Sequence, residues 1–207
     1  MNASDKTIGV LALQGDYGLH KRQIESLGAR YREVRLPRDM EGLDALIVPG
    51  GESTTMDILI DRFGLRQPIA EFGAARPIYG TCAGMILLAK EIERNQAGVK
   101  TFGLIDIDVA RNDYGRQVFS FEEEIEADFH GTKKRFLGGF IRAPRVTRAG
   151  AAVTVLARFQ DWPVLVEQNN ILAASFHSEL ETDTTLLAYF FEHFLLDSAD
   201  HKRILDG

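Results

Sequence analysis

The sequence predicts an α/β protein with a mostly parallel central sheet and additional antiparallel strands in its second half. Two patterns predict this class. Through the first half of the chain, apolar runs typical of strands alternate with segments typical of helices, as in βαβ units. The second half instead holds short strand-like runs joined by turns. No internal repeat, low-complexity tract or long linker divides the 207 residues, so we expect a single domain over residues 1–207.

Each element of the first half has its own local signal. The segment TIGVLAL (7–13) is a continuous apolar run with β-branched residues, which indicates a strand buried on both faces. Residues 19–28 place apolar side chains near one face and end at Gly28, which predicts a helix. The other strands predicted in this half are 31–36, 44–51 and 77–80, and the other helices are 53–64, 67–75 and 83–93.

The second half is interpreted as a series of short strands followed by a helix. Residues 184–199 are amphipathic to fully apolar, which predicts that closing helix. The predicted strands are 103–111, 118–128, 134–144, 152–159, 163–169 and 170–177.

Composition and charge argue against several classes of function. The formal net charge is -6 and the isoelectric point is about 5.4, whereas nucleic-acid surfaces are basic. Cys82 is the only cysteine, so no internal disulfide forms. No Cys/His cluster has zinc spacing, and we expect neither a metal ion nor a cofactor. The chain start has no signal-peptide pattern, and no apolar run approaches the roughly 18 residues that span a bilayer, so we expect a reducing cytoplasm.

The segment GTCAG (80–84) has the form G-x-nucleophile-x-G. In α/β enzymes this turn takes the chain sharply from a strand into a helix, and its glycines avoid clashes in the turn. The side chain of Cys82 then projects above the sheet edge, where the positive end of the helix that begins at Ala83 favours a reactive thiolate. The alternative is an inert cysteine, since free cysteine is among the most buried residue types. The strand–turn–helix context favours the nucleophile.

A cysteine nucleophile in acyl transfer needs a base and a group that orients the base. Among the five histidines, His177 lies just beyond an apolar strand, whereas His20 is assigned to a surface helix. Glu179 follows His177 by two positions, so in an extended chain the two side chains point the same way. A carboxylate there fixes the orientation and tautomer of the imidazole. The alternative is a polar turn that only ends a strand.

Glycine-bearing loops follow three predicted strands of the first half, at residues 14–15, 50–51 and 80. In an open α/β sheet such strand ends lie along the edge where ligands bind. The second loop belongs to the segment PGGESTT (49–55), whose glycines allow backbone N–H groups to face a ligand. Its hydroxyl residues, Ser53-Thr54-Thr55, are expected to cap a helix. On these residues alone, an ordinary strand-to-helix loop is the preferred interpretation.

Six segments taken together resemble a known family, the glutaminase subunits of pyridoxal 5′-phosphate synthase, which are class I, triad-type glutamine amidotransferases. The segments are GVLALQG, PGGESTT, GTCAGMILLAKEI, RNDYGRQVFSFE, FIRAP and SFHSEL, which span roughly residues 8–180. The cysteine elbow and His-x-Glu belong to the wider superfamily, whereas LQG, PGGESTT, RNxxGRQ and FIRAP are specific to this subfamily. Ser178 departs from the family pattern, which usually has proline there, and the chain after Leu180 resembles the family little.

The resemblance implies a flavodoxin-like, three-layer fold and hydrolysis of L-glutamine to L-glutamate and ammonia. Cys82 would attack the side-chain amide, His177 would accept the thiol proton and pass it to ammonia, and Glu179 would orient His177. A γ-glutamyl thioester would form and be hydrolysed. The ammonia would pass to a separate synthase subunit, in a heteromeric complex that builds the vitamin B6 ring.

The resemblance also implies which residues surround the substrate. The N–H groups of Gly51 and Ala83 would lie near the oxyanion, with Gln14 beside them. An arginine suits the α-carboxylate of glutamine, because its donors match that anion bidentately, but the sequence does not show which arginine binds it. The residues that would hold glutamine are Gly51, Glu52, Ser53, Arg111, Ile141 and Arg142.

Two other functions stay open at this stage. One is a glutaminase of another pathway, such as histidine or guanine nucleotide biosynthesis, against which the RNxxGRQ and FIRAP segments argue. The other is a non-catalytic protein whose elbow cysteine serves redox sensing or interaction. The presence of both His177 and Glu179 argues against it.

Overall fold

The computed structural model describes residues 3–111 and 120–196. Its α-helices are α1 (Leu19–Ser26), α2 (Ser53–Arg62), α3 (Arg66–Ala75), α4 (Ala83–Leu88) and α5 (Thr185–Phe194), and Pro37–Met40 form a short 3-10 helix. Its strands are β1 (Thr7–Leu11), β2 (Arg30–Val34), β3 (Ala45–Val48), β4 (Ile78–Thr81), β5 (Ala89–Ile92), β6 (Ile105–Ala110), β7 (Ser120–Phe129), β8 (Thr132–Ile141), β9 (Arg145–Ala149), β10 (Thr154–Phe159), β11 (Trp162–Gln168) and β12 (Ile171–Ala174). No helix within these ranges is long and apolar enough to cross a membrane.

Strands from both halves of the chain join in one large sheet, in the order β2-β1-β3-β4-β12-β11-β10-β7-β8. From β2 to β12 each neighbouring pair is parallel. From β12 to β8 each neighbouring pair is antiparallel. The predicted α/β class, with parallel strands extended by antiparallel strands from the second half, is therefore confirmed.

Helices cover both faces of the parallel strands, because side chains of a buried strand alternate between two apolar cores. In β3, Ala45 and Ile47 belong to one core, and Leu46 and Val48 to the other. The first core includes Ile24 of α1 and the aromatic face of α5, and the second includes apolar residues of α2, α3 and α4. Three layers result, as the resemblance implies.

The long β7–β8 hairpin returns the second half of the chain to the parallel strands. Its two loop residues, His130 and Gly131, have φ of 53° and 97°, as a tight type I′ turn requires. Near the end of β8, Gly139 forms an isolated antiparallel bridge with His177. The hairpin therefore reaches the carboxyl ends of the parallel strands.

Four parallel strands carry polar or glycine residues to the same edge of the sheet. β1 leads to Gln14, β3 to Gly50, β4 to Cys82 and β12 to His177. A Cβ on Gly50 would overlap the His177 ring, and a Cβ on Gly51 would meet the side chain of Gln14, so these loops are in contact. This edge is where ligands bind in open α/β sheets.

The predicted helix 83–93 is wrong in its second half. α4 ends at Leu88, and the next four residues form β5, which pairs in parallel with β6. Lys90 and Glu91 are good helix formers by themselves. Pairing with β6 imposes an extended backbone that local propensity does not reveal.

The sequence also failed to predict β9, which joins β5 and β6 in a separate sheet of order β5-β6-β9. The segment RVTRA is polar and does not indicate a strand by itself. In the structure, Arg148 of β9 forms an ion pair with Asp108 of the neighbouring strand β6, with 2.5 Å between Nε and Oδ2. Other predicted boundaries differ from the observed ones by a few residues. Outside the described residues lie 112–117 of the RNDYGRQ motif, 118–119 of a predicted strand and 197–199 of the predicted closing helix.

Gly84→Ala is expected to destabilise the fold. A Cβ on Gly84 would press into the carbonyl oxygen of Val48, so α4 would have to move away from β3. We expect the free energy of unfolding to fall by about 1–3 kcal/mol, measured by urea denaturation. The control is Gly18→Ala, because a Cβ on Gly18 meets no atom within 4 Å. Equal stability of the two variants would contradict the predicted clash.

Candidate active site

Cys82 lies between β4 and α4 in a strained backbone conformation, with φ of 48° and ψ of -103°. Residues other than glycine persist in such conformations only where the surrounding structure holds them. The N–H of Cys82 donates to the Ala174 carbonyl at 2.8 Å, which ties the turn to β12. Its Sγ lies 3.8 Å from the Ile141 carbonyl oxygen, and the residue is only 5% exposed. The structure thus has the strand–turn–helix geometry that the glycine pattern predicts.

His177 follows β12 and is held by its backbone and by its ring. Its N–H donates to the Gly139 carbonyl at 2.8 Å, and its carbonyl accepts from the Gly139 N–H at 3.1 Å. The imidazole packs on Gly50, and Nδ1 is hydrogen-bonded to Oε1 of Glu179 at 2.7 Å. The sequence predicted that Gly50 lies in a ligand-facing loop. It did not predict that the imidazole of His177 packs in the space where a side chain at position 50 would lie.

His177 and Glu179 carry opposite charges although both side chains are buried. Burial would lower the pKa of His177, but hydrogen bonding and charge interactions with Cys82 and Glu179 outweigh it and raise the pKa well above the usual 6.5. Burial would raise the pKa of Glu179, yet the imidazoles of His20 and His177 lower it below its usual value. The site therefore holds a protonated imidazole against an ionised carboxylate at neutral pH.

Ser178 stands between the histidine and the glutamate and is fixed by its own contacts. Its hydroxyl shares a buried 2.8 Å hydrogen bond with the hydroxyl of Tyr79. Its carbonyl accepts from Nε2 of Gln23 at 2.9 Å. Tyr79 lies on β4, the strand that ends at the cysteine. The pair therefore links the strand before the thiol to the segment that carries the imidazole.

A cavity of about 130 Å³ opens over the thiol. Its lining residues are Asp16, Gly51, Glu52, Ser53, Cys82, Ile86, Arg111, Ile141, Arg142 and His177. Pockets for drug-sized ligands measure about 300–1,000 Å³, so this cavity suits a small metabolite. A larger hollow of about 600 Å³ shares Arg111 but has no cysteine or histidine among the described residues that line it. Every residue expected to hold substrate borders the smaller cavity, together with Asp16 and Ile86, which the sequence did not single out.

Glu52 and Arg111 form a charged wall of this cavity. The expectation that Ser53-Thr54-Thr55 caps the helix is wrong, because the N-cap of α2 is Glu52, which accepts from the N–H groups of Thr54 at 3.1 Å and Thr55 at 2.7 Å. Burial would raise the pKa of Glu52, but these backbone hydrogen bonds lower it to about 2. Arg111 donates to Oε1 of Glu52 at 3.2 Å and to Oγ1 of Thr54 at 3.1 Å. The guanidinium is thus held in place at the cavity that Cys82 also lines.

Of the groups expected around the oxyanion, Gly51 lines the same cavity as Cys82. Gln14 packs against Gly51, and its Oε1 accepts from the N–H of Glu52 at 2.7 Å. Gly51 has a φ of 149°, which side-chain-bearing residues rarely adopt. Ala83 is the first residue of α4, so its N–H belongs to the helix turn whose donors have no intrahelical partner.

Within the described ranges, the fold also assembles a cluster of metal-type ligands that the spacing in the sequence did not reveal. His130, Glu167 and His193 place their ligand atoms within 4.8 Å of one another. Glu167 is buried, accepts from the Tyr189 hydroxyl at 2.6 Å and is hydrogen-bonded to His130 at 2.7 Å. These bonds satisfy the carboxylate without an ion, so we assign no metal to the cluster.

The prediction that His20 lies on a surface helix is wrong, because the side chain is completely buried. Its Nε2 lies 3.8 Å from Oε1 of Glu179. One signal was available, since His20 precedes Ile24 by four residues and such residues share a helix face. That face is the one that packs into the core.

The chain is similar to known proteins over most of its length. The model of the SNO glutamine amidotransferase family matches residues 10–196. Pyridoxal 5′-phosphate synthase subunit PdxT of Geobacillus kaustophilus is 50% identical over 184 residues, which cover 88% of this chain and 92% of that protein. The PdxT subunit of Thermus thermophilus is 49% identical over 188 residues, which cover 89% and 96%. A crystal structure of a glutamine amidotransferase aligns with a TM-score of 0.83 and 47% identity, covering 89% of this chain and 97% of that one.

Loss of either hydroxyl of the Tyr79–Ser178 pair alone is expected to destabilise the protein. Loss of the second hydroxyl from a variant that already lacks the first should cost much less. Tyr79→Phe or Ser178→Ala leaves one buried hydroxyl without its partner, which we expect to lower the free energy of unfolding by about 1–3 kcal/mol. The double variant removes both polar groups, so its loss should be well below the sum of the single losses. Urea unfolding of the four proteins forms a double-mutant cycle, and additive losses would contradict the bond.

Proposed function

The chain belongs to the SNO glutamine amidotransferase family, and we propose that it is the glutaminase subunit of a pyridoxal 5′-phosphate synthase, where it releases ammonia from L-glutamine for a synthase partner. The observation that carries this function is the arrangement of Cys82 and His177 at the wall of a small cavity that Arg111 also lines, with Glu179 hydrogen-bonded to His177. The PdxT relatives, about half identical over almost the whole chain, support the same assignment.

In the proposed reaction, the sulfur of Cys82 attacks the side-chain amide carbon of glutamine. His177 already carries the proton that the thiol gives up, and donates it to the departing ammonia, which leaves a γ-glutamyl thioester on the sulfur. The neutral imidazole then takes a proton from water, whose oxygen attacks the thioester. The proton returns to the sulfur as glutamate leaves. Glu179 accepts from Nδ1 throughout and so keeps the imidazole in the correct orientation and tautomer.

The substrate is proposed to lie along the cavity with its amide at the thiol. The N–H groups of Gly51 and Ala83 stabilise the oxyanion, and Gln14 supports the loop of Gly51. We assign the α-carboxylate of glutamine to Arg111, because its guanidinium is held in place by hydrogen bonds before substrate arrives. The other residues proposed to contact glutamine are Gly51, Glu52, Ser53, Ile141 and Arg142.

We further propose that the chain works in the cytoplasm as one glutaminase domain over residues 1–207. A reducing compartment keeps the lone Cys82 as the thiol that the reaction needs. The large sheet takes strands from both halves of the chain, which supports a single unit.

Cys82→Ala is expected to lower glutamate release to the background rate while the fold and partner binding persist. The assay follows glutamate formation by the subunit with and without the synthase subunit of a pyridoxal 5′-phosphate synthase, and circular dichroism checks the fold. Normal turnover in the variant would remove Cys82 as the nucleophile. A wild type stimulated only by a synthase of another pathway would instead assign it to that pathway, and no turnover with any partner would favour a non-catalytic protein.

The glutaminase rate is expected to persist into alkaline pH. Ammonia departs with a proton from His177, and the raised pKa of His177 keeps that proton bound at neutral pH. The alkaline limb of kcat/KM should therefore lie well above pH 6.5, the usual histidine value, because the proton is lost only as pH rises through the raised pKa.

Glu179→Gln tests the cause of that limb. The change removes the negative charge that raises the pKa of His177, so the limb should move to lower pH and kcat should fall. Initial rates of glutamate formation across the pH range measure both effects. A wild-type limb at or below the ordinary histidine value, or a limb that the substitution leaves in place, would contradict the assigned pair.

A further inference from the structure

One face of α1 packs directly against the segment that follows His177. His20 and Gln23 lie three residues apart on this face, and both are buried. Nε2 of Gln23 is within 2.9 to 3.1 Å of three backbone carbonyl oxygens of that segment, and so holds the helix to it. Those carbonyls belong to Ser178, Glu181 and Asp183. α1 is therefore fixed relative to the residues around Glu179.

His20 lies beside the carboxylate of Glu179, near the same oxygen that His177 binds. Both His20 and Glu179 have fully buried side chains, and Nε2 of His20 is 3.8 Å from Oε1 of Glu179. Among the described residues, neither ring nitrogen of His20 has a hydrogen-bond partner, and Oε2 of Glu179 has none either. A buried donor without an acceptor is costly, and so is a buried acceptor without a donor. The 3.8 Å from Nε2 of His20 to Oε1 of Glu179, the oxygen that Nδ1 of His177 also binds, is about 1 Å longer than a hydrogen bond.

His20 is held as a neutral imidazole. Burial lowers its pKa, Glu179 raises it, His177 lowers it and Asp16 raises it, and burial prevails. These are the charged groups that face His20, from the segment after β12 and from the loop before α1. A neutral imidazole can donate one N–H to a carboxylate without placing a second cation beside the protonated His177.

We propose that His20 is a positioning residue of the glutaminase reaction, whose N–H donates to the Glu179 carboxylate and holds it in line with Nδ1 of His177. This role rests on the proposed function, since it acts through the triad. A shift of about 1 Å in either side chain, on binding of glutamine or of the synthase partner, completes the bond. His20 does not border the substrate cavity, so it acts on the rate rather than on glutamine binding.

The test compares two substitutions of His20 in the subunit mixed with its synthase partner. His20→Gln keeps an N–H donor, whereas His20→Leu keeps the volume and removes the donor. We expect His20→Leu to lower kcat about 10- to 100-fold with an unchanged KM for glutamine, because misorientation of catalytic groups acts on the reaction step. His20→Gln should restore most of the rate. Lys21→Gln, on the exposed side of α1, is the matched control and should behave as the wild type.

The pH profile separates positioning from a purely structural role. Without the donor, Glu179 is less well aligned, its hydrogen bond to His177 weakens, and the pKa of His177 falls. The alkaline limb of kcat/KM should then move to lower pH in His20→Leu and stay in place in His20→Gln. A structural role alone would lower Tm without moving the limb. If His20→Leu does not fold, nitrogen NMR of the histidine-labelled wild type remains, and it should show a neutral His20 with its proton on Nε2 at neutral pH.

The outcomes distinguish the failure of this inference from that of the proposed function. An inactive wild type, with every partner tested, overturns the glutaminase assignment. An active wild type overturns the role of His20 if His20→Leu keeps its rate and its alkaline limb. A charged His20 in the NMR spectrum, or a proton on Nδ1, overturns it as well.

Discussion

The close approach of α4 to β3 is the constraint on which the rest of the site depends. Gly84 allows the helix backbone to lie against the carbonyl of Val48, and every residue of α4 is buried. Cys82 connects this helix to β4 and is tied to β12 through Ala174, so both sides of the turn are fixed. Its left-handed backbone is held by this packing rather than by any preference of cysteine. The position of the thiol is therefore a property of the core.

The buried ion pair depends on a second set of contacts, which comes from the whole chain. Removing two charged groups from water is costly unless their remaining hydrogen-bonding atoms are satisfied and their geometry is fixed. His177 is fixed by β8, an antiparallel strand, and Ser178 by Tyr79 of a parallel strand and by α1. The antiparallel extension of the sheet is thus part of the site, because it supplies the bridge that holds His177. The serine that replaces the family's usual proline has a buried partner that restricts it in another way.

Much of the fold and of the candidate site follows from local patterns. Continuous apolar runs such as residues 7–13 identify buried strands, and the glycines around Cys82 identify a sharp turn. Errors arose where distant partners decide the conformation. Glu91 is part of a strand because it pairs with β6. The sequence did not predict β9 because its polar residues form a strand only by pairing with β6. Glu52 was not expected as a cap, since a glutamate at that position is a weak local signal.

By itself, the sequence determined the class of fold, the sharp turn that carries Cys82, and the pair His177 and Glu179, since each of these shows within a few neighbouring residues. Only the tertiary structure decided which groups surround that pair. The hydroxyl of Tyr79 meets Ser178 across 99 positions of sequence, and Gln23 reaches the same residue across 155. The sequence predicts that His20 lies on a surface helix, whereas in the fold it is buried beside Glu179. Such contacts depend on the packing of whole elements, and no short stretch of sequence records which distant polar group will end up beside a buried charge.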